Sequence, residues 1–243
     1  MNTVLVTRPE PAGKELCKQL QQQGIQALYH PLIDIEAGPD LSSLPQALER
    51  SHIVIAVSQF AVEYSHQYLI QNKLSWPSHC QYLAVGQKTA SSLSKASGHK
   101  VHYPEISDSE HLLQLSQLQH AEKCQVLILR GNGGREVIYD TLTQHGAIVS
   151  YKEVYRRKER PFDSRKAVAA WRDAKVNTLV ITSGQQLQFF VSQFNRDDQN
   201  WLWQQRLLVP SERIATQARS MGFIDVISTG SAHNSDLVAA LQP

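Results

Sequence analysis

The chain is short of several things, and each shortage removes a class of protein. Only three of its 243 residues are cysteines, Cys17, Cys80 and Cys124, widely spaced and without a CxxC pair. That pattern fits reduced thiols and neither a disulfide framework nor a zinc site; Cys17 falls on a helical pattern and is read as packing there. The longest apolar runs, such as Ile53 to Val57 and Val126 to Leu129, stop far below the roughly 18 residues of a membrane span. No membrane partner is expected. Charge is nearly balanced, with 24 Lys and Arg against 22 Asp and Glu. The densest basic cluster is Arg156, Arg157 and Lys158, too little for a nucleic-acid surface. Ten histidines show no HxH or HExxH spacing, so no metal site is expected. No basic and long apolar leader precedes the first strand pattern, and a cytoplasmic location is the expectation.

What the chain does have is a repeat. Arg8 closes the apolar run Val4 to Thr7, and Arg130 closes Val126 to Leu129, 122 positions later. Leu16, Leu20 and Gly24 recur at that offset as Ile138, Leu142 and Gly146, so strand, amphipathic helix and terminating glycine come twice. Farther on, Ser58 after Ile53 to Val57 answers Ser183 after Thr178 to Thr182. Ala90 with Leu93 answers Ile214, Ala215 and Ala218. Strands alternating with helices of about 8 to 12 residues are the signature of parallel sheets covered on both faces. The fold class is α/β, with two similar parallel-sheet domains and a ligand expected in the cleft between them.

Several elements follow from local pattern. Pro39 to Ser43 reads as a break, Leu112 to Leu118 as a helix capped by Ser107 or Ser109, and Ala147 to Val149 and Lys152 to Arg156 as strands. Trp201 and Trp203, with Phe189, Phe190 and Phe194, read as packing a helix onto the sheet. A last helix starts at Asp236 with Ser235 as its cap. The repeat alone cuts the chain near residue 120; a second cut, in which one domain is inserted in the other, is equally open. His30 to Gly38 and Lys152 to Arg160 then serve as connecting strands.

Candidate chemistry gathers where strands end, the ligand edge of an open α/β sheet. LRGNGGRE, Leu129 to Glu136, joins a strand to a helix through Gly131, Gly133 and Gly134. Its N–H groups can face a carboxylate or phosphate, or it can be only a tight turn. It has neither the GxxxxGK[ST] nor the GxGxxG spacing. Ser58 and Ser183 can cap helices or touch a ligand; no GxSxG elbow or His/Asp arrangement makes either a nucleophile. Lys88 and Thr89 in AVGQKTA, and Ser211 and Arg213 in VPSERIA, occupy equivalent turns. Tyr155 stands in KEVYRR. A tyrosine with the ordinary pKa of about 10 carries its proton at neutral pH and can donate it.

Taken in order, VLVTRP, AVSQFAV, AVGQKTA, LRGNGGRE, VYRR, ITSGQQL and SDLVAAL resemble the uroporphyrinogen-III synthases over essentially the whole chain. The resemblance implies two α/β domains, 1–36 with 160–243 and an inserted 38–152, joined by linker strands at about 30–38 and 152–160. It implies a lyase of tetrapyrrole and haem biosynthesis. Hydroxymethylbilane loses its hydroxyl as water and closes to uroporphyrinogen III with its last ring inverted, through a spiro intermediate. No cofactor or metal is implied. No exposed apolar pattern demands a partner, so a monomer is the expectation, with a transient contact to the upstream hydroxymethylbilane synthase. Tyr155 matches the family tyrosine proposed to supply the proton. The substrate's eight carboxylates call for N–H donors and cations. Arg8, Lys88, Arg130, Gly131 to Gly134, Arg135 and Arg213 are candidates, with Ser58, Thr89, Ser183 and Ser211 as hydroxyl contacts. Many members carry a Gly-Pro-Thr-type turn where this chain has Pro210, Ser211, Glu212 and Arg213. The alternatives from residues alone are a two-lobed, non-enzymatic binding module for a small anion and a phosphate-handling transferase.

Overall fold

The computed structural model describes residues 2–242. The chain opens with β1 (Thr3–Val6), α1 (Ala12–Gln22), β2 (Gln26–Tyr29) and β3 (Ile33–Ala37). Next come α2 (Leu44–Arg50), β4 (Ile53–Ala56), α3 (Gln59–Gln71), β5 (Gln81–Ala84), α4 (Gln87–Ser97) and β6 (Val101–His102). Two short helices follow, α5 (Ser109–Leu112) and α6 (Ser116–Gln119), and then β7 (Gln125–Arg130), α7 (Val137–Gln144), β8 (Ile148–Glu153) and β9 (Tyr155–Glu159). The last third holds α8 (Ser164–Asp173), β10 (Thr178–Val180), α9 (Gly184–Ser192), α10 (Arg196–Trp203), β11 (Arg206–Val209), α11 (Glu212–Met221), β12 (Val226–Ser228) and α12 (Asn234–Ala239).

The strands form two five-stranded sheets, ordered β12-β11-β10-β1-β2 and β6-β5-β4-β7-β8, and a two-stranded pair β3-β9. All neighbours within both large sheets are parallel. The two orders superpose under the sequence repeat: β1 answers β7, β2 answers β8, and β10 to β12 answer β4 to β6. Each sheet therefore combines the first part of one repeat with the last part of the other. By contacts the chain splits into Met1–Ile35 with Lys158–Pro243, and Glu36–Arg157. Both boundaries fall inside β3 and β9.

Each sheet is buried on both faces, which is why its strands are apolar without alternation. In the first unit Leu5, Leu179 and Leu207 face one cluster, while Val4, Val6, Val180 and Leu208 face another with Leu16 and Leu20 of α1. In the second unit Ile53, Ile55, Leu83, Val126 and Ile128 pack with Ile138 and Leu142 of α7. Gly24 and Gly146, paired by the repeat, both follow their helices in the left-handed region, at φ 73° and 82°. Glycine takes that conformation without steric cost.

Five local readings need correction. The break at Pro39 to Ser43 runs into helix α2, because Pro45 sits in its first turn, where a missing N–H is harmless. The helix read over Leu112 to Leu118 is two pieces, interrupted by extended Leu115. Its cap is neither serine but Asp108, whose Oδ1 accepts from His111 N at 2.7 Å. The strands around residue 150 run Ile148–Glu153 and Tyr155–Glu159, with buried Val154 between them. Helix α10 has no pattern of its own that announces it; Asn195 caps it, accepting from Asp198 N at 3.1 Å. Helix α12 begins at Asn234, so Ser235 lies inside it rather than capping it.

Candidate active site

Parallel strands bring their carboxyl ends to one edge, and in the second unit that edge carries a cavity of about 230 Å³. Val57, Val85, Ile128 and Ile138 give it an apolar floor. Ser58, Ser109, Arg130, Arg135, Tyr151, Tyr155 and Arg157 give it polar walls, with Gly133 and Gly134 at one side.

Tyr155 is 2% exposed. Its ring packs against Phe60 and Tyr64 of α3, at centroid distances of 5.6 and 6.4 Å. The phenol oxygen meets the Ser58 hydroxyl at 3.1 Å and Arg157 Nη2 at 3.4 Å. Ser58 Oγ in turn accepts from Ala61 N at 3.2 Å as the cap of α3. Ser58 also donates to the phenol oxygen, which thus accepts from Ser58 and Arg157, and among the described residues no acceptor engages the tyrosine's own proton. The strand period of two that places Tyr155 inward places Arg157 on the same side. Arg156 points away and pairs with Glu153.

The glycine turn is shaped by this tyrosine. A methyl group on Gly131 would lie 2.6 Å from Tyr155 Cζ, and Gly134 holds φ 137°. Asn132 fastens the turn to β9: its Nδ2 donates to Arg157 O at 3.0 Å and its Oδ1 accepts from Arg157 N at 2.9 Å. Among the described residues no acceptor engages the backbone N–H of Asn132, Gly133, Gly134 or Arg135. Consecutive free N–H groups form an anion-binding concavity.

The cations beside it are already paired. Arg130, whose side chain is 12% exposed, binds Glu136 at 2.9 Å and stacks its guanidinium 4.5 Å from the centroid of the Tyr151 ring. Tyr151 donates to the other Glu136 oxygen. The Tyr151 hydroxyl and Arg130 together hold the Glu136 carboxyl below the usual range, while burial and then Glu136 push the Tyr151 phenol up. Arg135 pairs with Glu110 through both of its terminal nitrogens. Lys88 and Thr89, on α4, lie outside the cavity wall: Thr89 is buried and Lys88 exposed.

The first unit's corresponding edge carries Arg8, Ser183, Ser211 and Arg213. Ser183 caps α9, accepting from Gln186 N at 3.1 Å, the counterpart of Ser58. Ser211 occupies the cap position of α11 but makes no capping bond, and Arg213 is exposed. Arg8 is half-buried, and that burial lowers its pKa. It donates to Asn234 Oδ1. Nearby, Tyr29 has a buried hydroxyl without a partner among the described residues, and burial with Glu10 pushes its phenol up to about 12.

Local pattern missed Glu110, Asn132, Glu136, Tyr151 and Asn234. Only Arg157 had a signal, the two-residue alternation from Tyr155. The others reach their partners across turns or across the chain; Asn234 lies 226 positions from Arg8.

A family model described as Uroporphyrinogen-III synthase HemD matches residues 14–239. A uroporphyrinogen-III synthase of Escherichia coli (strain K12) is 42% identical over 99% of this chain and 100% of that protein, and one of Salmonella typhimurium (strain LT2) is 41% identical over the same shares. Among solved structures, a mutant uroporphyrinogen III synthase of the extremely thermophilic bacterium Thermus thermophilus aligns at TM-score 0.63 with 16% identity, covering 99% of this chain and 98% of that one. The uroporphyrinogen-III synthetase of Helicobacter pylori 26695 aligns at TM-score 0.61 with 17% identity, covering 99% of each. The two structures share the two-domain α/β fold, and the full-length sequence relatives with the family model settle descent: the chain belongs to the uroporphyrinogen-III synthase family.

Proposed function

We propose that the cavity around Tyr155 is where this family member carries out its reaction, the cyclisation of hydroxymethylbilane to uroporphyrinogen III with loss of water. The observation that carries the reading is Tyr155 itself, which lines the cavity and whose phenol oxygen accepts from Ser58 and Arg157, so that its own proton is free for substrate.

The chemistry asks for three things. A hydroxyl leaves only as water, so it needs a proton, which Tyr155 supplies as general acid; the proton returns when the cyclised product loses one from carbon. Reactant and product differ by one water, so the step is redox-neutral and needs no cofactor. Then the carboxylates must be held: the free N–H groups of Asn132 to Arg135 with Arg130 and Arg135 suit them in the second unit, and Arg8, Ser183, Ser211 and Arg213 in the first. Lys88 and Thr89 belong to the same edge as outer contacts. Last, closure also proceeds without catalysis to the uninverted isomer, so selectivity is a matter of geometry, of presenting the substituted carbon of the last ring to the attack.

In this reading residues 1–36 with 160–243 and residues 38–152 are the two domains, with linker strands at about 30–38 and 152–160. The protein acts as a cytoplasmic monomer, with a transient contact to hydroxymethylbilane synthase. The test is the isomer composition of uroporphyrin after oxidation, from freshly generated hydroxymethylbilane. Predominant isomer III is expected. Isomer I alone, at the uncatalysed rate from folded protein, would sink the reading and leave an anion-binding module.

A further inference from the structure

Arg8 and Arg130 close equivalent strands, yet they are held differently. Arg130 has a carboxylate, Glu136, at 2.9 Å. Arg8 has an amide: its Nη1 donates to Asn234 Oδ1, and Asn234 Nδ2 donates to Ala12 O at 3.1 Å. Among the described residues no carboxylate pairs with Arg8. The two in adjoining segments are engaged elsewhere, Glu10 by Lys14 at 2.5 Å and Asp236 by Ser231.

A half-buried guanidinium without a counter-charge costs stability, and a carboxylate in place of the amide would relieve that cost. Aspartate would also suit the first turn of α12 better than asparagine, since that end of a helix favours negative charge. The amide forgoes that compensation and instead satisfies Arg8 and Ala12 O at once. What it preserves is the net charge of Arg8, at a fixed orientation, because one end of it accepts from Arg8 while the other is tied to the backbone of α1. We propose that Asn234 is a positioning residue that aims Arg8 and leaves its charge uncompensated for a carboxylate of the substrate. This rests on the reading that Arg8 is a substrate contact.

Asn234→Asp keeps the acceptor for Arg8 and changes shape little, while a carboxylate oxygen replaces the amide donor that meets Ala12 O. KM for hydroxymethylbilane should rise about tenfold, the scale of one hydrogen bond to a charged group. kcat should stay within about twofold. Arg8→Gln should raise KM to a similar extent and flatten its dependence on salt. The double variant should add nothing beyond Arg8→Gln. Asn234→Ser probes the other side: it releases Arg8 without neutralising it, so a KM increase of about threefold is expected.

Wild-type KM in Asn234→Asp would overturn the inference, as would wild-type KM in Asn234→Ser if the aspartate variant does not fold. The same holds if Asn234→Asp raises KM equally with and without Arg8. The reading beneath it fails differently: unchanged KM in Arg8→Gln, with isomer III still formed, removes Arg8 as a substrate contact, and wild-type protein giving only isomer I removes the reaction.

Discussion

The turn after β7 and the turn after β1 stand at the same place in a duplicated frame, and they present opposite kinds of polar group. After β7 the turn supplies free N–H groups from Asn132 to Arg135, while its arginines are already neutralised by Glu136 and Glu110. After β1 the turn contains Pro9 and Pro11, which have no N–H, and the N–H of Gly13 is spent on Pro9 O at 2.9 Å. There the offer is a single guanidinium held by an amide. Duplication kept strand order, helix positions and even the serine caps, and let the chemistry at the strand ends diverge. Only one of the two edges acquired a tyrosine at a serine cap. Ser58 touches Tyr155 at 3.1 Å, whereas Ser183 has only its helix.

That contrast can be broken or sharpened by substitution. The largest effect belongs to the proton donor: Tyr155→Phe should lower the rate of isomer III formation about 10²- to 10⁴-fold, read by quenched time courses, with little loss of Tm. Gly131→Ala comes next. Its methyl group would meet the Tyr155 ring at 2.6 Å, so the ring must move; a loss of about 1–3 kcal/mol in stability and a fall in kcat on the order of tenfold are expected, from denaturation and steady-state rates. Wild-type kcat there would show that the exact place of the ring does not matter.

The two caps make a matched pair. Ser58→Ala and Ser183→Ala should each cost about 1 kcal/mol of stability, the usual value of a serine cap. Only Ser58→Ala should also lower kcat, by about threefold, because it alone loosens Tyr155, whereas any kinetic effect of Ser183→Ala should appear in KM. Equal kinetic effects from both would dissolve the distinction between the two edges. Glu136→Gln tests the paired arginine: freed of its carboxylate, Arg130 should resemble Arg8, and KM should fall about twofold while Tm also falls, since a guanidinium only 12% exposed loses its counter-charge.

The smallest effect concerns pH. In the first unit His30 lies edge-on to Phe162 and Trp171, at 4.8 and 5.0 Å, with its buried Nε2 unpartnered. Burial, and next Arg160, lower its pKa below the usual 6.5. The unfolded chain therefore takes up a proton before the folded one does, and stability is lost as pH falls below about 6.5. Three of the four tryptophans, Trp171, Trp201 and Trp203, lie in that unit. Fluorescence-monitored denaturation should show a steeper loss between pH 6.5 and 5 for wild type than for His30→Phe; parallel curves would remove His30 from the account.

The duplicated frame was legible because its signals are local and periodic. Val4 to Thr7 and Val126 to Leu129 are strands by composition alone, and Leu16, Leu20 and Gly24 mark a helix and its end. Ser58 and Ser183 announced caps by standing between a strand and a helix. Readings failed where a residue has two local meanings. Asp108 outcompeted Ser107 and Ser109 for the same cap, and Ser235, a cap by residue type, lies inside its helix. Arg130 could be recognised as the end of a strand, but Glu136 as its partner depends on how the glycine turn folds back. Asn234 meets Arg8 only because the chain's two ends complete one sheet. Such pairs have no spacing to read, and it is these pairs that decide which charges are free.

The most direct test sets wild-type protein and Tyr155→Phe side by side, both shown to be folded, with freshly generated hydroxymethylbilane, and separates the uroporphyrin isomers after oxidation. Predominant isomer III from wild type and predominant isomer I from the variant, as uncatalysed closure overtakes it, is the predicted result. Wild-type yields of isomer III at wild-type rate from Tyr155→Phe would contradict the account, and the proton for the departing water would have to come from another group.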